Sequence, residues 1–338
     1  MIDNSTNNKV LEVKDLKTYF YTDDGVVKAV DGVSFDLKRG ETLGIVGETG
    51  SGKSVTALSI LRLIPEPPGK IINGEIIFNG TDLLKLDKRD LQSFRGNSIS
   101  MIFQDPMTSL NPVYNIGNQI MESVIIHRKL KKEDAVKEAV RLLKIVGIAE
   151  ARKRLSSYPH EFSGGMRQRV MIAMAIANTP DILIADEPTT ALDVTIQAQI
   201  LELVDDIKRK TNTSIILITH DLGVVAKYAK RVLVMYAGKP VEFSTVDNIF
   251  YKPMHPYTLG LMNSITRLDE EKKDKLKPIV GSPPSLIGLP DGCAFYKRCE
   301  FATDACTRGC PPLKEIEKDH FVGCYQVEDI LKTRTENN

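Results

Sequence analysis

A glycine-rich stretch near the start of the chain combines the residue types that hold a phosphate chain. It lies between an apolar run at 43–46, typical of a buried strand, and a helical pattern at 55–61. That context argues against a Gly/Ser loop that carries Lys-Ser by chance. The glycines let backbone N–H groups curl around an anion, the lysine reaches the outer phosphates, and the last serine can hold Mg²⁺. We therefore expect a nucleotide phosphate loop made of Gly47, Glu48, Thr49, Gly50, Ser51, Gly52, Lys53 and Ser54.

Two carboxylates follow another apolar run, at 182–185. At the carboxyl edge of a parallel sheet such groups lie near a nucleotide crevice. There Asp186 would hold Mg²⁺, directly or through water, and Glu187 would polarise the attacking water as general base. Taken alone, the pair is equally compatible with an acidic turn before Pro188. Combined with the phosphate loop, it indicates nucleotide hydrolysis.

A serine followed by two glycines at a helix start forms a second candidate anion site. Ser163, Gly164 and Gly165 precede a helical stretch that begins near Arg167. A helix N-terminus with a capping serine can bind a phosphate, although a simple N-cap uses the same residues.

Composition limits the class of protein. The chain has 338 residues, which suggests two or three domains, and its 42% apolar and 26% charged content is ordinary for a globular protein. The formal net charge of +1 gives no electrostatic reason to expect a nucleic-acid partner. No apolar run approaches the about 18 residues of a membrane span, and the N-terminus has no secretory apolar core. We expect a cytosolic chain whose partners supply any membrane helices.

The elements that would position these residues follow from local patterns. Alternating strands are expected within residues 10–45, with a hairpin turn at Asp23-Asp24-Gly25, and residues 106–162 are mostly helical in pattern. Strands at 182–185 and 214–218 flank a helix, which implies a right-handed parallel crossover. The fold class is therefore α/β.

The order of the motifs resembles the ATP-binding subunits of ABC transporters, over about residues 8–265. That family carries, in order, a phosphate loop, a Gln loop, a signature, an acidic strand, a D-loop and a His switch. Here these are Gly47–Ser54, Gln104, Ser163–Gly165, Asp186–Glu187, Ala191–Asp193 and His220. The resemblance implies a P-loop NTPase with a RecA-like core, an antiparallel β subdomain and a helical subdomain at about 106–165.

The resemblance also implies a mechanism in which two ATPase subunits sandwich two ATP molecules head to tail. One ATP, with its Mg²⁺, would contact the phosphate loop, Gln104 and the acidic pair, with Ser54, Gln104 and Asp186 at the metal. The signature would cover the ATP of the partner, Asp193 would lie in the D-loop, and His220 would contact the γ-phosphate. A histidine satisfied at a strand end is the alternative for His220.

An aromatic side chain near the N-terminus is expected to stack on adenine. The resemblance points to Phe20, which Tyr19 and Tyr21 flank as other candidates. A strand aromatic in the hydrophobic core is the alternative.

All five cysteines fall between Cys293 and Cys324, with Cys310 among them, and mark a C-terminal extension at 266–338 after an ATP-binding domain at 1–265. Their spacing lacks paired C-x2-C knuckles, and disulfides are disfavoured in the cytosol. Four thiolates can hold zinc or a [4Fe–4S] cluster. The segment resembles the C-terminal extension of the oligopeptide/dipeptide importer branch, which implies a [4Fe–4S] cluster. Zinc or metal-free thiols are the alternatives, and the matching ligands are Cys293, Cys299, Cys306 and Cys324.

The branch resemblance implies an ATPase that powers di- or oligopeptide import from the cytoplasmic face of the membrane, as a peripheral subunit. Expected partners are a second ATPase, in a heterodimer or a homodimer, two membrane permease subunits and, indirectly, an extracytoplasmic peptide-binding protein. A nickel importer of the same branch is the alternative. A DNA-repair ATPase would insert long coiled coils, but only 108 residues (55–162) separate phosphate loop and signature here. A translation-factor ATPase would carry two cassettes, and intact Lys53, Glu187 and His220 argue against a dead nucleotide site.

A His-Pro-Tyr-Thr motif at 255–258 also resembles this branch. By itself it indicates only a helix start with proline at an early position. We assign no chemistry to His255.

Overall fold

The computed structural model describes residues 8–190, 192–264 and 279–336. Ala191 of the predicted D-loop and the predicted domain boundary at 265/266 lie outside these ranges. The domain division therefore stays a prediction. Within the described ranges, no helix combines the length and apolar character needed to cross a bilayer.

The strands are, in chain order, β1 (Lys9–Thr22), β2 (Gly25–Lys38), β3 (Thr42–Val46), β4 (Gly69–Phe78), β5 (Thr81–Asp82), β6 (Ile99–Ile102), β7 (Ile182–Asp186), β8 (Ser214–Ile218), β9 (Arg231–Tyr236), β10 (Lys239–Thr245), β11 (Lys314–Glu317) and β12 (His320–Val322). The α-helices are α1 (Lys53–Ile60), α2 (Lys88–Phe94), α3 (Pro106–Ser109), α4 (Ile116–Arg128), α5 (Lys132–Ile145), α6 (Ala151–Arg154), α7 (Gly164–Ala175), α8 (Val194–Thr211), α9 (Leu222–Tyr228), α10 (Val246–Tyr251), α11 (Pro256–Asn263), α12 (Ala305–Arg308) and α13 (Val327–Glu336). Short 3₁₀ turns occupy Pro159–Glu161 and Tyr296–Arg298.

The chain forms two compact units, each assembled from separate stretches. Unit one comprises Met1–Leu11, Asp36–Thr42 and Ile77–Ile218. Unit two comprises Glu12–Phe35, Leu43–Ile76 and Thr219–Asn338. The cysteine-rich extension therefore belongs to the same unit as the phosphate loop.

Unit one contains a parallel sheet in the order β6-β7-β8. Ile182 of β7 pairs with Ile99 of β6 on one side and with Ser214 of β8 on the other. All five residues of β7 and of β8 are buried, as expected for central parallel strands. β7 and β8 pair in parallel and α8 lies between them in the chain, as the predicted parallel crossover requires.

The helical part of unit one packs α4, α5 and α7 together. Ala135, Ala139, Leu142 and Leu143 of α5 are buried, as their helical spacing predicts. The helix ends where Gly147 takes a φ of 75°, a left-handed conformation that suits glycine. The predicted helical content of 106–162 is therefore confirmed, with loops between the helices.

Unit two contains a sheet in the order β11-β12-β10-β9-β3. β3 runs parallel to β9, while β10 pairs antiparallel with both β9 and β12. The last two strands come from the cysteine-rich extension, so this segment extends a sheet that also holds β3. In the same unit, β1 and β2 meet at the predicted turn, where the Thr22 hydroxyl donates to the Gly25 carbonyl at 2.9 Å.

A fully buried carboxylate joins β10 to the C-terminal segments of unit two. Glu242 accepts from the backbone N–H groups of Met254 and His255 at 2.8 and 3.0 Å. Its Oε1 also lies 2.7 Å from Nε2 of His320, and both side chains are 0% exposed. Buried charges of this kind need several hydrogen bonds, which Glu242 has.

Candidate nucleotide site

The phosphate loop joins β3 to α1 in unit two, as the sequence predicts. Gly47 has a φ of 154°, and a Cβ there would lie 2.2 Å from the Met235 carbonyl oxygen. Gly52 has a φ of 100°, and its Cβ would lie 2.3 Å from the carbonyl oxygen of Ala29. A side chain is therefore excluded at positions 47 and 52, because the loop backbone lies close to neighbouring segments there.

Two polar side chains of the loop, those of Lys53 and Ser51, are buried. Lys53 is 4% exposed and donates from Nζ to the carbonyls of Gly47 and Glu48 at 2.8 and 3.0 Å. Ser51 is 3% exposed, and its hydroxyl has no hydrogen-bond partner among the described residues. A buried hydroxyl without a partner is costly in a folded protein, so Ser51 fits a site that receives a polar ligand.

Glu48 is held by residues that are distant in sequence. Its backbone N–H donates to the Tyr257 hydroxyl at 2.8 Å. Its carboxylate accepts from Arg298 at 2.7 and 3.0 Å, in a paired arrangement. The sequence pattern predicts Glu48 in the loop but indicates neither of these partners.

His220 occupies an exposed position directly after β8, also in unit two. The N–H of the preceding Thr219 donates to the carbonyl of Ile45 in β3 at 3.3 Å. The following Asp221 caps α9 by accepting from Gly223 at 2.8 Å. The backbone at His220 therefore lies between a strand end and a helix cap, and the contact of its ring with a γ-phosphate stays a prediction.

The three N-terminal aromatic residues differ in their surroundings. The Tyr19 hydroxyl donates to Asp31 at 2.8 Å, and burial together with this carboxylate raises the pKa of Tyr19. Tyr21 is 52% exposed, and Phe20 is half-buried beside Gly69. Because Tyr19 is already engaged, Phe20 and Tyr21 are the freer candidates for adenine stacking, and the choice of Phe20 stays a prediction.

The acidic pair and the Gln loop meet within unit one. Nε2 of Gln104 donates to Oε2 of Glu187 at 3.2 Å, and the Thr190 hydroxyl donates to the same oxygen at 2.9 Å. Asp186 ends β7 and is 4% exposed. The sequence predicts Gln104 and Glu187 at one site, but it does not reveal Thr190 as the group that orients the carboxylate.

Glu187 also has an unusual backbone conformation. Its φ is 44°, in the left-handed region that a non-glycine residue rarely occupies, and its N–H donates to Ile218 at 2.9 Å. Such positions cost about 1–3 kcal/mol and concentrate at functional sites. This conformation directs the side chain away from the strand and toward Gln104 and Thr190.

The signature residues lie at the start of α7, also in unit one. The Ser163 hydroxyl accepts from the N–H of Met166 at 3.3 Å, so it caps the helix, which is the simpler role that the sequence allows. Ser163 and Gly164 are exposed. Asp193 is exposed too, and its side chain makes no capping bond to α8. An anion-binding role for these residues stays a prediction.

Four of the five cysteines line one small cavity in unit two, together with His255 and Phe295. They are the four predicted ligands, Cys293, Cys299, Cys306 and Cys324, whereas Cys310 is absent from the lining. Burial raises the pKa of the Cys293 thiol to about 11 and that of Cys324 to about 12. In the part of the chain that the structure describes, no group of three or more Cys, His, Asp or Glu is arranged to hold a metal ion.

His255 starts α11, as the sequence predicts. Its Nδ1 accepts from the N–H of Tyr257 at 3.1 Å, and Pro256 occupies the first helical position. Burial lowers the pKa of His255 to about 4, so the ring is neutral at pH 7 and can accept this bond. Its role is therefore structural.

Comparisons with known proteins identify the family of this chain. The family model described as ABC transporter matches residues 30–190, and the model described as oligopeptide/dipeptide transporter, C-terminal region, matches 241–306. In structure, the chain is similar to the ATP-binding cassette MJ0796, solved as a dimer in a post-hydrolysis state with ADP and Pi. The TM-score is 0.63 and the identity 26%, over 70% of this chain and 98% of that one.

Two curated relatives narrow the class. The oligopeptide transport ATP-binding protein OppD of Bacillus subtilis is 56% identical, covering 93% of this chain and 88% of its own length. The probable peptide ABC transporter ATP-binding protein y4tR of Sinorhizobium fredii is 51% identical, covering 98% and 99%. The chain therefore belongs to the ATP-binding proteins of ABC transporters, in the oligopeptide/dipeptide branch. This confirms the family and the ATPase class predicted from the sequence.

Proposed function

We propose that this chain is the ATP-hydrolysing subunit that powers import of di- or oligopeptides through a membrane ABC transporter. The observation that carries this is the similarity to oligopeptide transport ATP-binding proteins, which extends over nearly the whole chain and includes the C-terminal region. The chain works as a peripheral subunit at the cytoplasmic face of the membrane.

ATP binds through the loop in unit two. The Lys53 ammonium leaves the carbonyls of Gly47 and Glu48 to contact the outer phosphates, and the buried Ser51 hydroxyl gains a partner. Ser54, Gln104 and Asp186 would hold Mg²⁺, which when bound would neutralise phosphate charge. Hydroxyl, amide and carboxylate oxygens suit this hard cation. An aromatic ring, Phe20 in this proposal, stacks on the adenine.

Hydrolysis uses the residues around Glu187. Its carboxylate accepts a proton from the attacking water as general base, and Gln104 and Thr190 fix its orientation through the hydrogen bonds already described. His220 positions the water and contacts the γ-phosphate. The strained backbone of Glu187 supports this role because it aims the side chain.

The exposed signature serves the ATP of a partner subunit. Ser163, Gly164 and Gly165 offer a capped helix N-terminus of a twelve-residue helix to its phosphates, and Asp193 lies in the D-loop contact. The solved relative is itself dimeric, which supports this arrangement. We propose a heterodimer with a second ATPase, with a homodimer as the alternative.

The C-terminal thiols form a structural metal site in this proposal. Cys293, Cys299, Cys306 and Cys324 line one cavity and together provide the four thiolates that a [4Fe–4S] cluster needs. Purified protein should be brown and contain acid-labile sulfide. Stoichiometric zinc without iron would replace the cluster with a zinc site, and Cys310 is either a free thiol or a replacement for one of the four ligands.

Purification from its native cell tests the function as a whole. Detergent extracts should yield the tagged chain with two permease subunits and a second ATPase. In proteoliposomes with the extracytoplasmic binding protein, ATP turnover should rise when peptides are added. Stimulation by nickel ions alone would favour the nickel importer, and absence of permeases from the complex would contradict the proposal.

A further inference from the structure

The phosphate loop and the cysteine-rich extension are directly connected within unit two. Two contacts meet at Glu48, one to its carboxylate from Arg298 and one to its backbone N–H from Tyr257. Nη1 of Arg298 donates to Oε2 at 2.7 Å and Nη2 donates to Oε1 at 3.0 Å. Such a paired geometry is the strong form of an arginine–carboxylate contact.

Arg298 is itself held rigidly. Its side chain is 6% exposed, and Nε donates to the carbonyl of Val280 at 3.1 Å. Nη1 also donates to the Tyr236 hydroxyl at 3.2 Å, and the guanidinium lies 5.8 Å from the ring centres of Tyr236 and Phe295. A buried arginine with this many contacts holds its carboxylate partner in one place, unlike an exposed ion pair.

The second contact fixes the backbone of the same residue. Tyr257 is fully buried on α11, and its hydroxyl accepts from the Glu48 N–H at 2.8 Å. The Tyr257 ring packs against Tyr236 and Phe295, with ring centres 4.6 and 5.5 Å away. The aromatic cluster that supports Arg298 therefore also supports the hydroxyl that anchors the loop.

Charge gives Arg298 a further effect on nucleotide binding. Glu48 is an acid inside a loop that binds a polyanion, and an uncompensated carboxylate would repel the triphosphate. The guanidinium neutralises it. The Glu48 carbonyl also accepts from Lys53 at 3.0 Å, so displacement of Glu48 would displace the lysine that meets the phosphates.

We propose that Arg298 and Tyr257 are positioning residues of the phosphate loop, so that the C-terminal extension sets the affinity of this chain for ATP. The inference rests on the proposed role of residues 47–54 in ATP binding. Arg298 ends the 3₁₀ turn between Cys293 and Cys299, and both thiols line the cysteine cavity. Changes at that cavity would therefore reach the phosphate loop through Arg298, which directly precedes Cys299 in the chain.

The test measures equilibrium binding of a fluorescent ATP analogue to the purified full-length chain. Arg298→Ala should weaken binding by about tenfold, in line with a lost charge-assisted pair. Adding Glu48→Gln should recover most of that affinity, because it removes the uncompensated charge. Arg308→Ala, an exposed arginine in the same extension, is the matched control and should bind as wild type.

A second variant tests the backbone contact without disturbing the packing. Tyr257→Phe keeps the ring and removes only the acceptor for the Glu48 N–H, so it should weaken binding several-fold. In the assembled transporter both Arg298→Ala and Tyr257→Phe should raise KM for ATP and leave kcat nearly unchanged. A purely structural role would lower the melting temperature and leave nucleotide affinity as in wild type.

Lys53→Ala separates the inference from the proposed function. Should Lys53→Ala bind the analogue normally, the assignment of residues 47–54 is wrong. Should Lys53→Ala lose binding while folded Arg298→Ala and Tyr257→Phe bind normally, only the positioning role is wrong. Failure of Glu48→Gln to restore affinity in Arg298→Ala would overturn the charge argument.

Discussion

The phosphate loop and the signature segment differ in how the protein supports them. Loop residues Ser51 and Lys53 are buried, and the loop backbone is anchored by contacts from distant parts of unit two. The signature residues Ser163 and Gly164 are exposed at the start of a helix in unit one, and a capping bond is the contact that Ser163 makes there. The first site is preorganised within the chain, whereas the second is exposed, where we propose that it meets the ATP of a partner.

This contrast implies that ATP binding and ATP hydrolysis depend on different residues, so that mutations can separate the two. Loop substitutions should change stability and affinity together. Substitutions at the signature or at Glu187 should change turnover and leave the isolated fold nearly intact.

The largest expected effect is at Glu187. Glu187→Gln keeps the size and the contacts of the side chain but removes the general base, so turnover should fall by about 10²–10⁴-fold. ATP affinity should stay close to wild type, and the dimer should be trapped with ATP. Steady-state hydrolysis by the assembled transporter and size-exclusion chromatography with ATP measure both.

Thr190 supplies the control for this prediction. Thr190→Ser retains the hydroxyl that donates to Glu187 at 2.9 Å and should hydrolyse ATP normally, while Thr190→Val should be slower. Normal hydrolysis by Glu187→Gln would remove this residue from its role as base.

Two glycine substitutions test directly whether the phosphate loop is more tightly packed than the signature segment. Gly47→Ala places a Cβ 2.2 Å from the Met235 carbonyl, at a φ that alanine rarely adopts, and should lower the free energy of unfolding by at least about 2 kcal/mol. Gly164→Ala places a Cβ 3.6 Å from Leu192, an ordinary contact, and should be neutral or stabilising by up to about 1 kcal/mol. Urea denaturation measures both.

An interface assay should separate the effect of Gly164→Ala on dimerisation from its effect on the fold. Gly164→Ala should reduce ATP-driven dimerisation although its fold is intact, because the added methyl group lies where the partner's phosphates are expected. Equal destabilisation by the two substitutions would contradict the difference in support between the loop and the signature.

The smallest expected effect concerns the helices of unit one. Hydrogen bonds from Arg141, together with Arg128, lower the pKa of Glu138 to about 2. Because the folded-state value lies below the ordinary 4.5, this carboxylate stabilises the fold above about pH 4.5 and loses that effect as the pH falls toward 2. Glu138→Gln should cost about 1 kcal/mol at pH 7, after allowance for solvent screening.

Urea titrations across this pH range measure the Glu138 effect. The difference between wild type and Glu138→Gln should shrink steadily below about pH 4.5. Glu122→Gln, the same substitution at an exposed position on α4, is the matched control. A constant difference at all pH values would show that Glu138 acts through packing alone.

Local patterns in the sequence predict much of the fold. The apolar run at 43–46 and the glycines after it define β3, the loop and α1, and the spacing of Ala135, Ala139 and Leu142 defines the buried face of α5. These elements can be predicted because hydrophobic periodicity and turn preferences depend on residues that are close together in the sequence. The ordered motifs likewise predict Gln104 near Glu187.

Contacts between distant residues could not be predicted in this way. Glu48 and Arg298 are 250 positions apart, and no periodicity connects them. The left-handed φ of Glu187 depends on its anchoring to Ile218 rather than on residue type. Tyr257 belongs to a motif that the sequence identifies only as a helix start. Its function becomes visible once tertiary packing brings its hydroxyl to the loop.

The strand order of unit two has a consequence for synthesis of the protein. One edge of β10 pairs with β12. This edge therefore stays unpaired until the ribosome has synthesised β12 and the strand has left the exit tunnel. Until then the nascent chain exposes an unpaired strand, and such edges invite aggregation. The finished sheet instead ends at β11, a short strand whose exposed Lys314, Glu315 and Glu317 discourage pairing with a neighbouring molecule. Premature termination of translation would therefore leave the edge of β10 unpaired and favour aggregation of the truncated chain.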